Sequence, residues 1–241
     1  MKVVTGGMVI IYSEKYIQNC SIDVIIAAFN EEKGVGLTLT EMQQYLYPKN
    51  IFVIDGNSVD KTVEIAKANG AQVLQQTGIG KGDAIAEGIK RIDFDIDYVV
   101  VTDADYTYPA EYLPEMVAIL EANPNVGMVC GNRFNGKVDE KAQKHLFYFG
   151  NILLAWSHSM INGINLKDPL TGLRVIRAEI LRNWKIKSKG FDIEVELNSQ
   201  VVKSGFKIQE VPIHYRSRMG EKKLKVRHGV EILKRILLEI Y

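Results

Sequence analysis

The chain has 241 residues and a mass of 27.1 kDa, long enough for one domain with a substantial core and too short for more than two small ones. Hydrophobic residues at 46% and charged residues at 24% exclude a disordered chain, and 30 Lys and Arg against 29 Asp and Glu exclude a protein that holds nucleic acid by bulk charge. The balance is uneven: residues 214–241 contain eight Lys and Arg but only three acidic residues, a basic tail suited to an anionic partner or an anionic membrane surface.

From Ser21 onward, short apolar runs alternate with helix-like stretches. Ile22–Ala28, Ile51–Asp55, Gln72–Gln75 and Tyr98–Asp103 read as buried parallel strands. Between them Glu31–Tyr45, Asp60–Asn69 and Lys81–Arg91 carry helical spacing, with Gly70 as a C-terminal stop. Pro109 opens a further helix to about Ala122, Asn123-Pro124-Asn125 ends it, and Val126–Gly131 is a fifth strand. The second half predicts a helix over Lys141–Ile161, whose apolar face (Leu146, Phe147, Phe149, Leu153, Leu154, Trp156) reads as core, with a lipid groove as the alternative. A turn at Asp168-Pro169, a strand near Leu173–Arg177, a helix near Ile193–Lys203, a strand over Lys207–His214 and an amphipathic helix over Val226–Ile240 follow. Alternation of this kind defines an α/β sheet with crossover helices, and no linker or repeat divides it. No apolar run approaches the roughly 20 residues of a spanning helix. Met1–Ile11 lacks a signal-peptide cleavage pattern, and Cys20 and Cys130 give neither zinc spacing nor a disulfide framework. A cytoplasmic protein, soluble or peripheral, is expected.

In open parallel sheets ligands bind beyond the carboxyl ends of the strands. Here those ends are polar: Asn30-Glu31-Glu32, Asp55-Gly56-Asn57-Ser58, Gly78-Ile79-Gly80-Lys81-Gly82-Asp83 and Asp103-Ala104-Asp105. Two carboxylates one residue apart repel unless a cation sits between them or one is protonated. A divalent, oxygen-seeking ion such as Mg²⁺ or Mn²⁺, completed by substrate phosphates, answers that need; plain solvation of both is the alternative. The glycine-rich turn is not a P-loop, because Gln75 and Gly82 stand where Gly and Ser or Thr are required. It also misses the dinucleotide fingerprint, whose third glycine would fall on Asp83. What remains is Lys81 and a helix N-terminus, both suited to an anion. His145, His158, His214 and His228 show no ligand spacing.

Taken in order, Ile25-Ile26-Ala27-Ala28-Phe29-Asn30-Glu31-Glu32, Val53-Ile54-Asp55-Gly56-Asn57-Ser58-Val59-Asp60-Lys61-Thr62, Gly80-Lys81-Gly82, Asp103-Ala104-Asp105 and Gly131-Asn132-Arg133-Phe134 resemble the motifs of family 2 glycosyltransferases. Asp168-Pro169-Leu170-Thr171-Gly172-Leu173-Arg174, Gly190-Phe191-Asp192, Val211-Pro212-Ile213 and Arg218-Met219-Gly220-Glu221-Lys222-Lys223-Leu224 resemble the dolichyl-phosphate mannose or glucose synthase group. The resemblance implies a GT-A fold: a Rossmann-like, mixed but mostly parallel sheet flanked by helices, in a single domain over 1–241. Residues 21–135 would form the nucleotide-sugar half and 136–241 the acceptor half.

It further implies that Ala27, Phe29, Glu31 and Asp55 hold the base and ribose of a UDP- or GDP-linked sugar. Lys81, Asp103 and Ala104 would meet the nucleotide, with Asp103 and Asp105 at a Mg²⁺ or Mn²⁺ ion. Arg133, Arg218 and Lys223 would meet the phosphate of a polyprenyl (dolichyl) acceptor, and the reaction would invert the anomeric carbon. The sequence departs from the family's pattern at Ala27 (usually Pro), Phe29 (usually Tyr) and Thr107, where mannose synthases carry Gln as a further metal ligand. A hydroxyl acceptor would instead need a carboxylate base, with Asp168, Asp192 and Glu194 as candidates; a catalytically silent nucleotide-sugar binding subunit is a third reading. In the last helix Leu224, Val226, Val230, Leu233, Leu237 and Ile240 line one side and Lys222, Lys225, Arg227, Lys234 and Arg235 the others. That pattern suits either a helix lying in a membrane interface, which makes the chain peripheral on the cytoplasmic face, or a packed helix with a solvated basic face.

Overall fold

A computed structural model of the chain describes residues 2–5, 8–11, 20–93, 95–134, 147–221, 223 and 226–239. Strands β1 (Lys2–Thr5) and β2 (Met8–Ile11) form an antiparallel pair of their own, an element the sequence pattern did not announce. The main sheet has seven strands: β3 (Ile22–Ala28), β4 (Asn50–Asp55), β5 (Gln72–Gln75), β6 (Tyr98–Asp103), β7 (Val126–Asn132), β8 (Arg174–Arg177) and β9 (Lys207–Pro212). Their order across the sheet is β5-β4-β3-β6-β8-β7-β9. Only β8 runs against the rest, pairing antiparallel with both β6 and β7, so the carboxyl ends of the other six open on one edge.

Helices α1 (Val35–Leu46), α2 (Thr62–Ala68) and α4 (Leu113–Ala122) cover one face of this sheet. Alternate residues of β3 explain why both faces are dry: Val24 and Ile26 meet Leu39, Met42 and Met116, while Ile25 points to the other side. There α3 (Lys81–Ile89), the short α6 (Ala178–Leu181) and α7 (Ile193–Lys203) pack Ile85, Leu181, Leu197 and Val201 against Ile54, Val99 and Val101. Helices α5 (Phe147–Asn162) and α8 (Val226–Leu238) add a third layer, with Val195 of α7 meeting Ile232 and Ile236.

Three expectations need correction. Strand β5 is not buried: it lies at one edge of the sheet, and Gln72 and Gln75 are exposed. The apolar face of α5 is only partly core, since Leu154 packs inward but Leu153 and Trp156 are 60% and 61% exposed; Leu146 lies outside the described residues. On α8 the stripe Val230, Leu233 and Leu237 faces outward, Val230 being 71% exposed. The inward face is Ile232, Ile236 and, against expectation, Arg235, which meets Asp192 (2.9 Å), Glu196 (3.8 Å) and Glu239 (3.5 Å). Leu224, Lys225 and Ile240 lie outside the described residues.

Candidate active site

The strand ends are shaped by left-handed turns. Asn30 after β3, Asn57 after β4 and Tyr106 after β6 all carry positive φ (51°, 65° and 65°), a conformation non-glycine residues adopt at a cost and one concentrated at functional sites. Side chains stitch the first two loops together: Asn30 N–H donates to Ser58 Oγ (2.8 Å), Val59 N–H to Asn30 Oδ1 (2.9 Å) and Glu31 N–H to Thr62 Oγ1 (2.7 Å). Asp55, buried at the end of β4, accepts from Ser58 N–H and from Gln75 Nε2 (both 3.1 Å). Ala27 and Phe29 lie on and just beyond β3, and the Phe29 ring is half exposed, with the Lys223 ammonium 5.5 Å from its centre. Lys223 also points at Asn30 O (3.5 Å).

At the end of β6 the acidic pair is separated into two ion clusters. Asp103 Oδ1 meets Lys81 Nζ at 2.6 Å, and the same ammonium meets Glu194 Oε1 at 2.7 Å. Burial works against the Lys81 charge, but Asp103 and Glu194 outweigh it and push its pKa up, so it stays cationic. Asp105 Oδ2 meets Arg218 (2.9 Å), and Arg218 also reaches the buried Glu31 carboxyl. Asp105 Oδ1 is braced by Thr107 through its N–H (3.1 Å) and Oγ1 (2.6 Å), so Thr107 supports Asp105 from within and is itself buried. Burial and the neighbouring Asp103 push the Asp105 pKa up against Arg218. Burial, opposed by Arg218 and assisted by Asp105, pushes Glu31 up to about 7.

This arrangement fits a divalent cation. Four carboxylates (Glu31, Asp103, Asp105, Glu194) face Lys81 and Arg218, with Lys223 beside Glu31, an excess of one negative charge when all ionise. Among the described residues Glu31 Oε2 and Arg218 Nε are buried without hydrogen-bond partners, an incompleteness that native sites seldom tolerate without a ligand. Among the described residues no group of three or more His, Cys, Asp or Glu side chains is placed to hold a metal ion by itself. An ion here would take its remaining ligands from phosphate and water, as Mg²⁺ does.

The glycine-rich turn behaves differently from expectation. Two of the first N–H groups of α3 are not open to an anion: Gly82 and Asp83 donate to Lys189 O (2.9 and 3.3 Å). A Cβ on Gly82 would stand 2.5 Å from Ser188 O, and one on Gly80 would collide with Lys189 O, so the glycines admit the 188–190 loop to the helix end. Arg133 is likewise committed. Its fork binds the fully buried Asp168 through Nε (2.7 Å) and one terminal nitrogen (2.6 Å), and it stacks near Tyr215 (5.4 Å) and Phe134 (5.7 Å). Arg218 and Lys223 come together over Phe29, Asn30 and Glu31, brought there by the strap that follows β9. That strap is tied to β6's loop by Arg216 N–H to Thr107 O (3.0 Å) and Met219 N–H to Asp105 O (3.3 Å).

All three candidate bases are occupied: Asp168 by Arg133, Asp192 by Arg235 and Glu194 by Lys81. Sequence reasoning did not find the clamp of Glu41 on α1, which holds Arg216 (2.9 Å), Tyr106 OH (2.9 Å) and Ala110 N–H (3.1 Å); nothing in the spacing of Glu41 and Arg216 links residues 175 apart.

The structure is thus an α/β sheet with acidic residues at its strand ends and a basic strap above them, and comparison gives the class of protein. The profile described as Glycosyl transferase family 2 matches residues 23–184. The chain is 33% identical over 203 residues to a dolichyl-phosphate hexose transferase of Haloferax volcanii, covering 83% of this chain and 85% of that one. It is 30% identical over 215 residues to an undecaprenyl-phosphate mannosyltransferase of Micrococcus luteus, covering 83% and 86%. Glucosyl-3-phosphoglycerate synthase of Mycobacterium tuberculosis, solved with Mn²⁺, UDP and glucosyl-3-phosphoglycerate, shares the fold with a TM-score of 0.75 at 17% identity, over 94% of this chain and 82% of that one. The chain therefore belongs to glycosyltransferase family 2, and its fold is of the GT-A type.

Proposed function

We propose that this glycosyltransferase moves a sugar from a UDP- or GDP-linked donor to a polyprenyl phosphate, with inversion at the anomeric carbon. The observation that carries the choice of acceptor is the ion pairing of Asp168, Asp192 and Glu194. A hydroxyl acceptor needs a free carboxylate base, whereas a phosphate monoester is already an anionic nucleophile near neutral pH and needs only orientation. The polyprenyl-phosphate relatives named above support the same choice.

In this reading residues 21–135 supply the donor side, with Phe29 and Asp55 at the base and ribose and Asp103 and Asp105 at the diphosphate. A Mg²⁺ or Mn²⁺ ion held there would act as a Lewis acid, neutralising charge on the leaving nucleoside diphosphate. Residues 136–241, together with Arg133, supply the acceptor side. Arg218 and Lys223 offset the repulsion between two phosphorylated substrates, and Arg133, held rigid by Asp168, presents its remaining terminal nitrogen. The exposed apolar stripes of α5 and α8, with Lys234 exposed beside Leu233, would rest on an anionic membrane surface and admit the lipid acceptor from there.

The test is a thermal-shift panel of nucleotide sugars with and without Mn²⁺, followed by turnover on polyprenyl phosphate and on the matching polyprenol. One donor should raise the melting temperature in a Mn²⁺-dependent way. Asp105→Ala should abolish both that shift and turnover. Equal turnover on the alcohol would overturn the phosphate-acceptor reading.

A further inference from the structure

We propose that Glu194 is a positioning residue of the donor site, anchoring Lys81 and, through Lys81, fixing the Asp103 carboxylate. The inference rests on the donor-site reading above and extends it to a residue outside the strand ends.

Three elements distant in sequence meet at the Lys81 ammonium: the first residue of α3, the last residue of β6 and the second residue of α7. Exposure falls off along the cluster. The Asp103 side chain is 29% exposed toward the cleft, while Lys81 and Glu194 are 9% and 7% exposed behind it. A void of about 10 Å³ borders Glu194, room for no more than one water, and the carboxylate lies behind Lys81 with 7% of its side chain exposed. Its influence on the reaction has to pass through Lys81.

Asp103 needs that help. On its other side, a Cβ at Gly172 would stand 2.5 Å from Asp103 Oδ2, so residue 172 carries no side chain that could brace the carboxylate. A lysine with four rotatable bonds and one partner would hold Asp103 loosely; a second carboxylate on the same ammonium fixes its position. Helix α7 has a second such tie. Glu196, one turn-face away from the ion cluster, accepts Lys187 N–H (2.8 Å) and Ser188 N–H (2.6 Å) and seats the loop whose Lys189 carbonyl caps α3. The first turn of α7 thus backs both Lys81 and the helix that carries it. A cluster with two carboxylates on one buried ammonium is weak evidence for stability, because apolar residues of equal size commonly do as well. Its value here is the placement of Asp103.

The experiment compares the wild type with Glu194→Gln, Lys81→Met and the double variant, using thermal unfolding, Mn²⁺-dependent binding of UDP and of GDP, and steady-state kinetics on polyprenyl phosphate. Glu194→Gln keeps an acceptor for Lys81 and should fold. It should weaken Mn²⁺–nucleotide binding by about tenfold, the scale of outer-shell substitutions, and raise the donor KM while sparing the acceptor KM. In the Lys81→Met background the same substitution should add less than about twofold. Nucleotide binding by Glu194→Gln equal to wild type, or a full additional loss in the double variant, would overturn the proposal. If Lys81→Met does not fold, the single-variant binding result decides. Wild-type protein that binds neither nucleotide with Mn²⁺ would overturn the donor-site reading itself, an outcome distinct from binding that Glu194→Gln fails to change.

Discussion

At the scale of single residues, the site is a set of charges whose partners can be exchanged. Arg218 occupies Asp105 Oδ2, the oxygen that Thr107 leaves open, so guanidinium and metal ion compete for it. Arg218→Ala should therefore tighten Mn²⁺ binding to the free enzyme by about tenfold, equivalent to ~1.4 kcal/mol of relieved competition, while turnover falls. Titration followed by electron paramagnetic resonance checks it, and weaker Mn²⁺ binding would refute the competition. Glu31 gives a pH signature. Its pKa rises from 4.5 to about 7 in the fold through burial, so the folded chain holds this proton more tightly than the unfolded chain. The stability it contributes is full below about pH 4.5 and is lost as pH rises to about 7, by up to about 3 kcal/mol. Asp105, also raised, adds with the same sign. Urea unfolding of Glu31→Gln should show a flatter profile across that window; an unchanged slope would exclude Glu31 as its source.

At the scale of elements, α8 carries two unlike faces. Arg235 on its inner face neutralises Asp192, Glu196 and Glu239, so Arg235→Met should cost about 3–5 kcal/mol by stranding buried carboxylates, seen as a drop in the urea midpoint. This helix also shows what a linear pattern can and cannot reveal. Its amphipathic period was legible, and so were β3, β5, β6 and α7, because Val- and Ile-rich runs and a 3.6-residue spacing are local signals. The direction in which the apolar stripe points was not, since it depends on whether Ile232 and Ile236 or Val230 and Leu233 meet Val195 across the molecule. The same limit applies at the strand ends. Asp103 and Asp105 were legible as a pair, yet their counter-ions, Lys81 and Arg218, come from residues 22 and 113 positions away, and β8's reversal is invisible in a four-residue strand, Arg174–Arg177.

At the scale of the whole molecule, the charge is divided between an acidic body (22 basic against 26 acidic residues before residue 214) and a basic end, and α5 and α8 place exposed apolar side chains on the same layer. Binding to anionic vesicles should weaken steeply with added salt as the screening length falls from about 10 Å at 0.1 M toward about 3 Å at 1 M. Trp156→Glu with Leu233→Glu should abolish vesicle sedimentation and leave Mn²⁺-dependent nucleotide binding unchanged; vesicle binding that survives both substitutions would assign the contact elsewhere. The single reversed strand has a consequence of its own. Because β8 runs backward, the connection that enters it, with Asp168 and Gly172, arrives at the same rim where the other strands deliver the loops that leave them. The rim is thus fed from upstream and downstream at once, so an insertion ahead of β8 could reshape one wall of the cleft while the opposite wall stayed as it is.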